Sequence, residues 1–152
     1  TPLPETAAEQ VDKARHVWRA LGSQVRLMSP EAHDAAYATV SHLPHLLAFA
    51  AMNAIEGQAQ AREFLELAGP GFRDFTRIAA SDPSVWRDIL IANQAEVLRQ
   101  SEHFRAALDA LEATMRSGNA EALRSLIQRA SDARAQWQLP GAEPACQTPP
   151  AL

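Results

Sequence analysis

The sequence predicts a nearly all-α protein built as one helical bundle. Its 152 residues include 31 alanines and only 6 glycines, with few β-branched residues, a composition that favours helix. Apolar residues recur at helical spacing along most of the chain, and a chain of this length can bury a core. We expect a kinked helix in the first half, a long helix toward the C-terminus and at most one short N-terminal strand.

The N-terminal segment predicts one helix followed by that strand. Thr6 to Glu9 has the pattern of a capping box, and apolar positions then repeat until Gly22, which favours a helix over about 7–21. Residues 24–28 alternate polar and apolar side chains, as a half-buried strand does. Since one strand cannot form a sheet, it would dock on helices, pair with another chain, or be the edge of a sheet whose other strands lie elsewhere.

A second helix should run from Ser29-Pro30 to about Glu56. Serine is a preferred cap, and proline is tolerated at the first helical position. Pro44 lies inside this helix, where it removes one backbone hydrogen bond and presses on the preceding turn. The sequence therefore predicts a kink near residues 40–45.

The rest of the chain predicts two short helices and two longer ones. The short helices should cover 58–67, closed by Gly69-Pro70-Gly71, and 74–80. One unbroken helix over 84–116 would be roughly 50 Å long, and its natural use is pairing across a dimer. Asn119 should cap a last helix that ends near Trp137. The proline-rich segment 138–152 is expected to be a disordered tail.

Charge and cysteine usage exclude several classes of function. The net charge of −4 and pI near 5.7 argue against binding DNA or acidic membrane surfaces. The single cysteine, Cys146, fits a reducing cytoplasm, and no apolar run reaches the roughly 20 residues that span a bilayer. We expect a soluble cytoplasmic protein, and the first residue, Thr1, suggests a cut or processed N-terminus.

Arg77 is the first candidate for chemistry. It follows Asp74 by three residues, on one face of the predicted helix. An arginine held by an aspartate is a pre-oriented fork that matches both oxygens of a carboxylate. Spacing alone favours the simpler interpretation, a solvated surface ion pair.

His42 and His45 form the second candidate, three residues apart on one helical turn. This spacing would suit two metal ligands, with His33 as a third, but no cysteine lies near. A histidine beside a proline kink more often bonds to the backbone carbonyls that the kink frees, and we keep this structural interpretation open for His42. Trp86, near a helix start, is by default a core residue.

Two segments resemble signatures of the prephenate and arogenate (cyclohexadienyl) dehydrogenases. One runs from Gly71-Phe72-Arg73-Asp74-Phe75-Thr76-Arg77 to Ser81-Asp82-Pro83 and on to Trp86 and Asn93, and the other is Ser41-His42-Leu43-Pro44-His45. The resemblance covers about residues 1–134. It implies the C-terminal helical half of such an enzyme, a homodimerisation domain like the C-terminal domain of 6-phosphogluconate dehydrogenase.

The resemblance also implies roles for particular residues. Substrate-binding positions would be Arg77, gripping a carboxylate of the cyclohexadienyl ring, His45, making a polar contact, and Ser41, Gly71 and Trp86, lining the pocket, with Asp74 and His42 in support. One departure is Pro70, where relatives commonly show glycine. Proline has no backbone N–H to offer a ligand.

Enzymes of this family pass a hydride to NAD or NADP while the ring loses carbon dioxide and becomes aromatic. The cofactor turn and the catalytic base belong to the N-terminal half, and no G-x-G-x-x-G occurs in this sequence. We therefore expect no catalytic residue, cofactor site or metal here. Residues 1–28 would be the end of the nucleotide-binding domain, 29–137 the dimerisation and substrate domain, and 138–152 the tail.

Two alternatives remain open at this point. The chain could be a non-catalytic helical homodimer that mediates interactions or senses tyrosine, in which case Arg77 would matter less for ligand binding. It could also be a metal-binding helical bundle that uses His33, His42 and His45. The ligand implied by the resemblance is prephenate, arogenate or tyrosine.

Overall fold

The computed structural model describes residues 1–138, and this part of the chain is helical, as predicted. Its eight α-helices, one π-helical turn and one 3-10 turn are α1 (Ala8–Ala20), α2 (Pro30–Tyr37), the π turn (Ala38–His42), α3 (Leu43–Glu56), α4 (Ala61–Glu66), α5 (Pro70–Thr76), the 3-10 turn (Arg77–Ala80), α6 (Pro83–Ala92), α7 (Gln94–Arg116) and α8 (Ala120–Gln136). All of the expected tail except Gln138 lies outside the described residues.

The two ends of α1 differ in how well the sequence predicted them. The Thr6 hydroxyl accepts a hydrogen bond from the Leu3 N–H at 3.0 Å and does not cap the helix, so the expected capping box is wrong. Gly22 has φ 82° and closes the helix as predicted. The N–H groups of Gly22 and Ser23 donate to carbonyls in the last turn of α1, the pattern of a Schellman motif.

The predicted strand at 24–28 does not form. These residues have no regular secondary structure, and no strand occurs anywhere in residues 1–138. An alternating pattern specifies only that one face can be buried. A strand also requires a second backbone to exchange hydrogen bonds with, and no such partner lies beside this segment in the described chain.

The interruption expected around Pro44 is present. Helix α2 begins where predicted, with the Ser29 hydroxyl accepting from the Ala32 N–H at 3.2 Å. The π turn separates α2 from α3, and Pro44 is the second residue of α3. A π turn holds one extra residue in the helical backbone, which accommodates the proline that cannot donate to the preceding turn.

The helix expected over 84–116 is instead two helices. Asn93 separates α6 from α7 and has non-helical angles, φ −106° and ψ 29°. With 23 residues, α7 is roughly 35 Å long. The apolar periodicity continues through the break, and therefore the sequence pattern did not reveal it. Asn119 caps α8 as predicted, since its side chain accepts from the Ala122 N–H.

The chain divides into two compact units, Thr1–Phe104 and a second unit from Arg105 onward. Within the first unit, α3 is central and packs against the π turn, the 3-10 turn, α4 and α5. Buried apolar residues among those described are small or medium in size: Ala38, Ala48 and Val97. The domain boundaries expected at 28/29 and 137/138 remain predictions.

Many large apolar side chains are exposed in the single chain. Examples on α6 to α8 are Val85, Ile91, Leu98, Leu108, Met115 and Ile127, each more than 40% exposed. Apolar surface on this scale favours association with another polypeptide. None of the helices in residues 1–138 is both long and apolar enough to cross a bilayer.

Candidate functional site

The structure brings the two sequence motifs together around Trp86. The His45 ring of α3 stacks on the indole, with centroids 3.5 Å apart and planes 19° apart. His42 and Phe49 contact the indole edge-on, at 6.1 and 6.3 Å. We call His42, His45, Phe49 and Trp86 the aromatic cluster. Its members are partly exposed, so the cluster forms an open surface and not a closed core.

Ser41 and His45 are joined through the backbone. The Nδ1 atom of His45 lies 3.0 Å from the carbonyl oxygen of Ser41, one turn earlier. Because a carbonyl oxygen can only accept, Nδ1 carries the hydrogen and Nε2 faces elsewhere. The structural role considered for His42, bonding to a carbonyl near the kink, is therefore taken by His45.

The hydrogen-bond partner of His42 is Asn93, a residue to which the sequence analysis assigned no role. The Nδ2 atom of Asn93 lies 3.1 Å from His42 Nδ1 and 2.8 Å from the carbonyl oxygen of Asp34. Asn93 is only 9% exposed. Burial, followed by the nearby His33, lowers the pKa of His42 below its usual range. The one available signal was that the signature segment beginning at Gly71 extends to Asn93.

The His33-Asp34 pair lies beside this network. His33 Nδ1 is 3.0 Å from Asp34 Oδ1, and its ring stacks on Tyr37 with centroids 4.4 Å apart. The Tyr37 ring is 6.5 Å from that of His42. A row of three rings thus connects α2 to the aromatic cluster.

Arg77 does not make the ion pair that its spacing suggested. Asp74 pairs with its neighbour Arg73, whose Nε lies 3.0 Å from Asp74 Oδ1. No carboxylate within residues 1–138 lies at salt-bridge distance from Arg77. Asp74 lies in α5, which ends at Thr76, whereas Arg77 begins the 3-10 turn that follows.

The placement of Arg77 nevertheless leaves it open to a ligand. Its side chain is exposed, and the 3-10 turn that it begins packs on α3, the helix that carries His45. The segment Gly69-Pro70-Gly71 is not the turn that closes a helix, because Pro70 and Gly71 form the start of α5. A Cβ added to Gly71 would meet no atom within 4 Å, so the backbone there is open.

Residues 1–138 contain neither a cluster of three metal-ligand side chains nor a β-sheet. No group of three or more His, Cys, Asp or Glu side chains converges in residues 1–138, so the metal-binding alternative has no ligand set there. A dinucleotide site of the usual kind is built from parallel strands and a Gly-rich turn, and this part of the chain has no strand.

Comparison with known proteins identifies the relatives of this fold. The family model described as "Prephenate dehydrogenase, dimerization domain" matches residues 29–129. The cyclohexadienyl dehydrogenase of Zymomonas mobilis is 32% identical over 136 residues, which cover 88% of this chain and 46% of that protein. The prephenate dehydrogenase of Bacillus subtilis is 30% identical over 135 residues, covering 88% of this chain and 36% of that protein.

Solved structures give the same result. The prephenate dehydrogenase of Aquifex aeolicus, in complex with hydroxyphenyl propionate and NAD+, superposes with a TM-score of 0.84 and 34% identity, over 90% of this chain and 48% of that one. The arogenate dehydrogenase of Synechocystis gives a TM-score of 0.78 at 29% identity, over 90% of this chain and 50% of that one. The chain thus spans half or less of the length of these relatives. Because the dimerization-domain model matches most of its residues, the chain belongs to the prephenate dehydrogenase family.

Proposed function

We propose that this chain forms the dimer frame and the substrate-binding surface of a dehydrogenase that oxidatively decarboxylates prephenate or arogenate. The observation that carries the proposal is the stacking of His45 on Trp86, which unites residues of the two signature segments at one open surface. The relatives support the choice of reaction, since they are prephenate, cyclohexadienyl and arogenate dehydrogenases.

The proposed surface offers both apolar and polar contacts to a carboxylated ring. Trp86 is partly exposed, and an indole ring can pack against a planar ligand. Arg77 has no carboxylate partner within residues 1–138 and supplies a planar fork of donors for a ligand carboxylate. Ser41 and His45 supply polar atoms beside the ring, and the open backbone at Gly71 allows close approach.

In the complete reaction, a nicotinamide cofactor held by another domain would accept hydride from the ring carbon that bears the hydroxyl, and the ring would lose carbon dioxide. This chain's part is to bind and orient the substrate, which is a large contribution when reacting groups must be aligned. The base and the cofactor site are assigned to another domain. We therefore expect that the purified 152-residue chain shows no NAD(P)-dependent oxidation of prephenate. Turnover by a verified pure sample would contradict this assignment.

The test of the binding role is a calorimetric titration with 3-(4-hydroxyphenyl)propionate, the ligand type seen in the Aquifex aeolicus relative. Arg77→Ala should weaken binding about 10- to 100-fold, because a hydrogen-bonded charge pair contributes about 1.5–3 kcal/mol. Arg73→Ala is the matched control: it removes an exposed arginine four positions earlier that is paired with Asp74, and it should change affinity less than about twofold.

The analogue 3-(4-hydroxyphenyl)propanol, which lacks the carboxylate, completes the design. Its affinity should be the same for the wild type and for Arg77→Ala. Equal losses for Arg77→Ala and Arg73→Ala would contradict a specific carboxylate contact. Size-exclusion chromatography should give a dimer for both variants, since neither exposed arginine belongs to the apolar surface.

The second candidate is a non-catalytic homodimeric module for interaction or tyrosine sensing. The exposed apolar side chains of α6 to α8 favour it, because they require a partner chain but no ligand. A dimer that binds neither tyrosine nor the hydroxyphenyl acid, also after the nucleotide-binding domain of a relative is added, would favour a pure interaction module. Binding of tyrosine without binding of prephenate would favour sensing.

A further inference from the structure

Asn93 is unusual in its backbone conformation, its burial and its side-chain hydrogen bonds. It is the single residue between α6 and α7, it is nearly buried, and its backbone leaves the helical region. Its side chain reaches two groups on other elements, the Asp34 carbonyl oxygen on α2 and His42 Nδ1 in the π turn, 51 positions away in sequence. The side-chain amide of Asn93 thus makes these hydrogen bonds at the break between α6 and α7.

The chemistry of these contacts determines which atoms carry hydrogen. A backbone carbonyl oxygen only accepts, so the amide atom 2.8 Å from it must be the nitrogen of Asn93. An amide NH2 group only donates, and its second hydrogen points to His42 Nδ1 at 3.1 Å. His42 Nδ1 must therefore be an unprotonated acceptor, and the one hydrogen of the neutral ring resides on Nε2.

His45 has the opposite arrangement. Its Nδ1 donates to the Ser41 carbonyl, so in the neutral ring Nε2 is a bare acceptor. Both rings contact the same indole, His45 by its face and His42 edge-on. Two histidines of one short motif thus have opposite hydrogen-bonding character at Nε2.

We propose that Asn93 is a positioning residue that holds His42 as a neutral Nε2–H donor, opposite to the Nδ1–H form that the Ser41 carbonyl imposes on His45. His42 would then donate to a carboxylate or carbonyl oxygen of the ligand, and His45 would accept from a hydroxyl group. The assignment to a ligand rests on the proposed function. The tautomer assignments of His42 and His45 do not rest on it, because they follow from hydrogen bonds within the chain.

The surroundings of His42 agree with a neutral ring. Protonation would place a hydrogen on Nδ1 against the N–H of Asn93, setting two donors against each other. Burial and the neighbouring His33 lower the pKa of His42, and His45 acts in the same direction, while the Asp34 carboxylate acts against them. The remaining ring neighbours of His42 are the aromatic side chains of Tyr37 and Trp86.

Long-range 1H–15N NMR of the full chain, labelled with 15N-histidine, tests the tautomers directly. The chain has five histidines, and His42→Gln and His45→Gln assign the two relevant signals. In mildly alkaline buffer we expect the Nε2–H pattern for His42 and the Nδ1–H pattern for His45. A His42 signal that is Nδ1–H, or averaged between tautomers, would overturn the proposal.

Asn93→Asp tests whether Asn93 is the cause. The substitution keeps the shape but replaces a donor by an acceptor, so His42 should change to Nδ1–H or become protonated at neutral pH, while the His45 pattern stays the same. An unchanged His42 signal would refute the role of Asn93. If circular dichroism shows that Asn93→Asp is unfolded, Asn93→Ala serves instead: it removes the donor without adding charge, and His42 should then average between tautomers.

Discussion

Replacing Trp86 by alanine is expected to cost about 3 kcal/mol of unfolding free energy. The indole stacks on His45 and meets His42 and Phe49 edge-on. Each aromatic pair contributes about 0.5–1.5 kcal/mol beyond its buried area, so three pairs give about 1.5–4.5 kcal/mol. Contacts that share one ring are not additive, and the Trp86 ring is partly exposed. We therefore expect a loss of unfolding free energy near the middle of this range.

Urea unfolding, followed by circular dichroism at one fixed protein concentration, measures this cost, since the stability of a dimer depends on concentration. Trp86→Phe keeps a ring against His45 and should cost less than half as much. Trp137→Ala is the control: that indole is 53% exposed, and its described contact is with the guanidinium of Arg134 at 5.1 Å. It should cost less than about 1 kcal/mol. The reasoning is refuted if Trp86→Ala costs no more than Trp137→Ala.

Three further predictions concern a glycine, a cap and pH. Gly71→Ala should leave stability unchanged or raise it by up to about 1 kcal/mol, because alanine favours helix and the added methyl group meets no atom; a urea midpoint clearly below that of the wild type would contradict this. Asp82→Ala should lower the free energy of unfolding by about 1–2 kcal/mol, because the Asp82 carboxylate caps α6 at the Ser84 and Val85 N–H groups. Thr6→Ala is the control: Thr6 does not cap α1, so its replacement should cost much less in the same assay. Folding lowers the pKa of His42, so the unfolded chain binds a proton at this residue more readily than the folded chain does. The free energy of unfolding should therefore fall as the pH drops through about 6.5. His42→Gln should make this pH dependence less steep, and an equally steep dependence in the variant would argue against the assignment.

The helices and several of their ends were predictable because they depend on neighbours in sequence. Gly22 ends α1 through its positive φ, Ser29 starts α2 with a side-chain cap, and Asn119 does the same for α8. The interruption beside Pro44 follows from the missing N–H of one residue. In each case the group that decides the structure lies within a few residues of the place it affects.

The wrong predictions involve partners that sequence spacing does not specify. The break at Asn93 depends on contacts with Asp34 and His42, far away along the chain. Asp74 pairs with the adjacent Arg73 and not with Arg77, and the spacing of the three residues did not reveal this choice. Local apolar periodicity is the same with or without these contacts.

The sequence by itself determined the helical class, most helix positions and, through two short motifs, the family. Only the tertiary structure decided how those motifs combine: it stacked His45 on Trp86, gave His42 a buried amide partner and left Arg77 without a carboxylate neighbour in the described chain. The physical reason is that helix formation responds to capping and spacing over a few residues. A binding surface depends on the packing of distant segments, whose contacts are set by the whole fold.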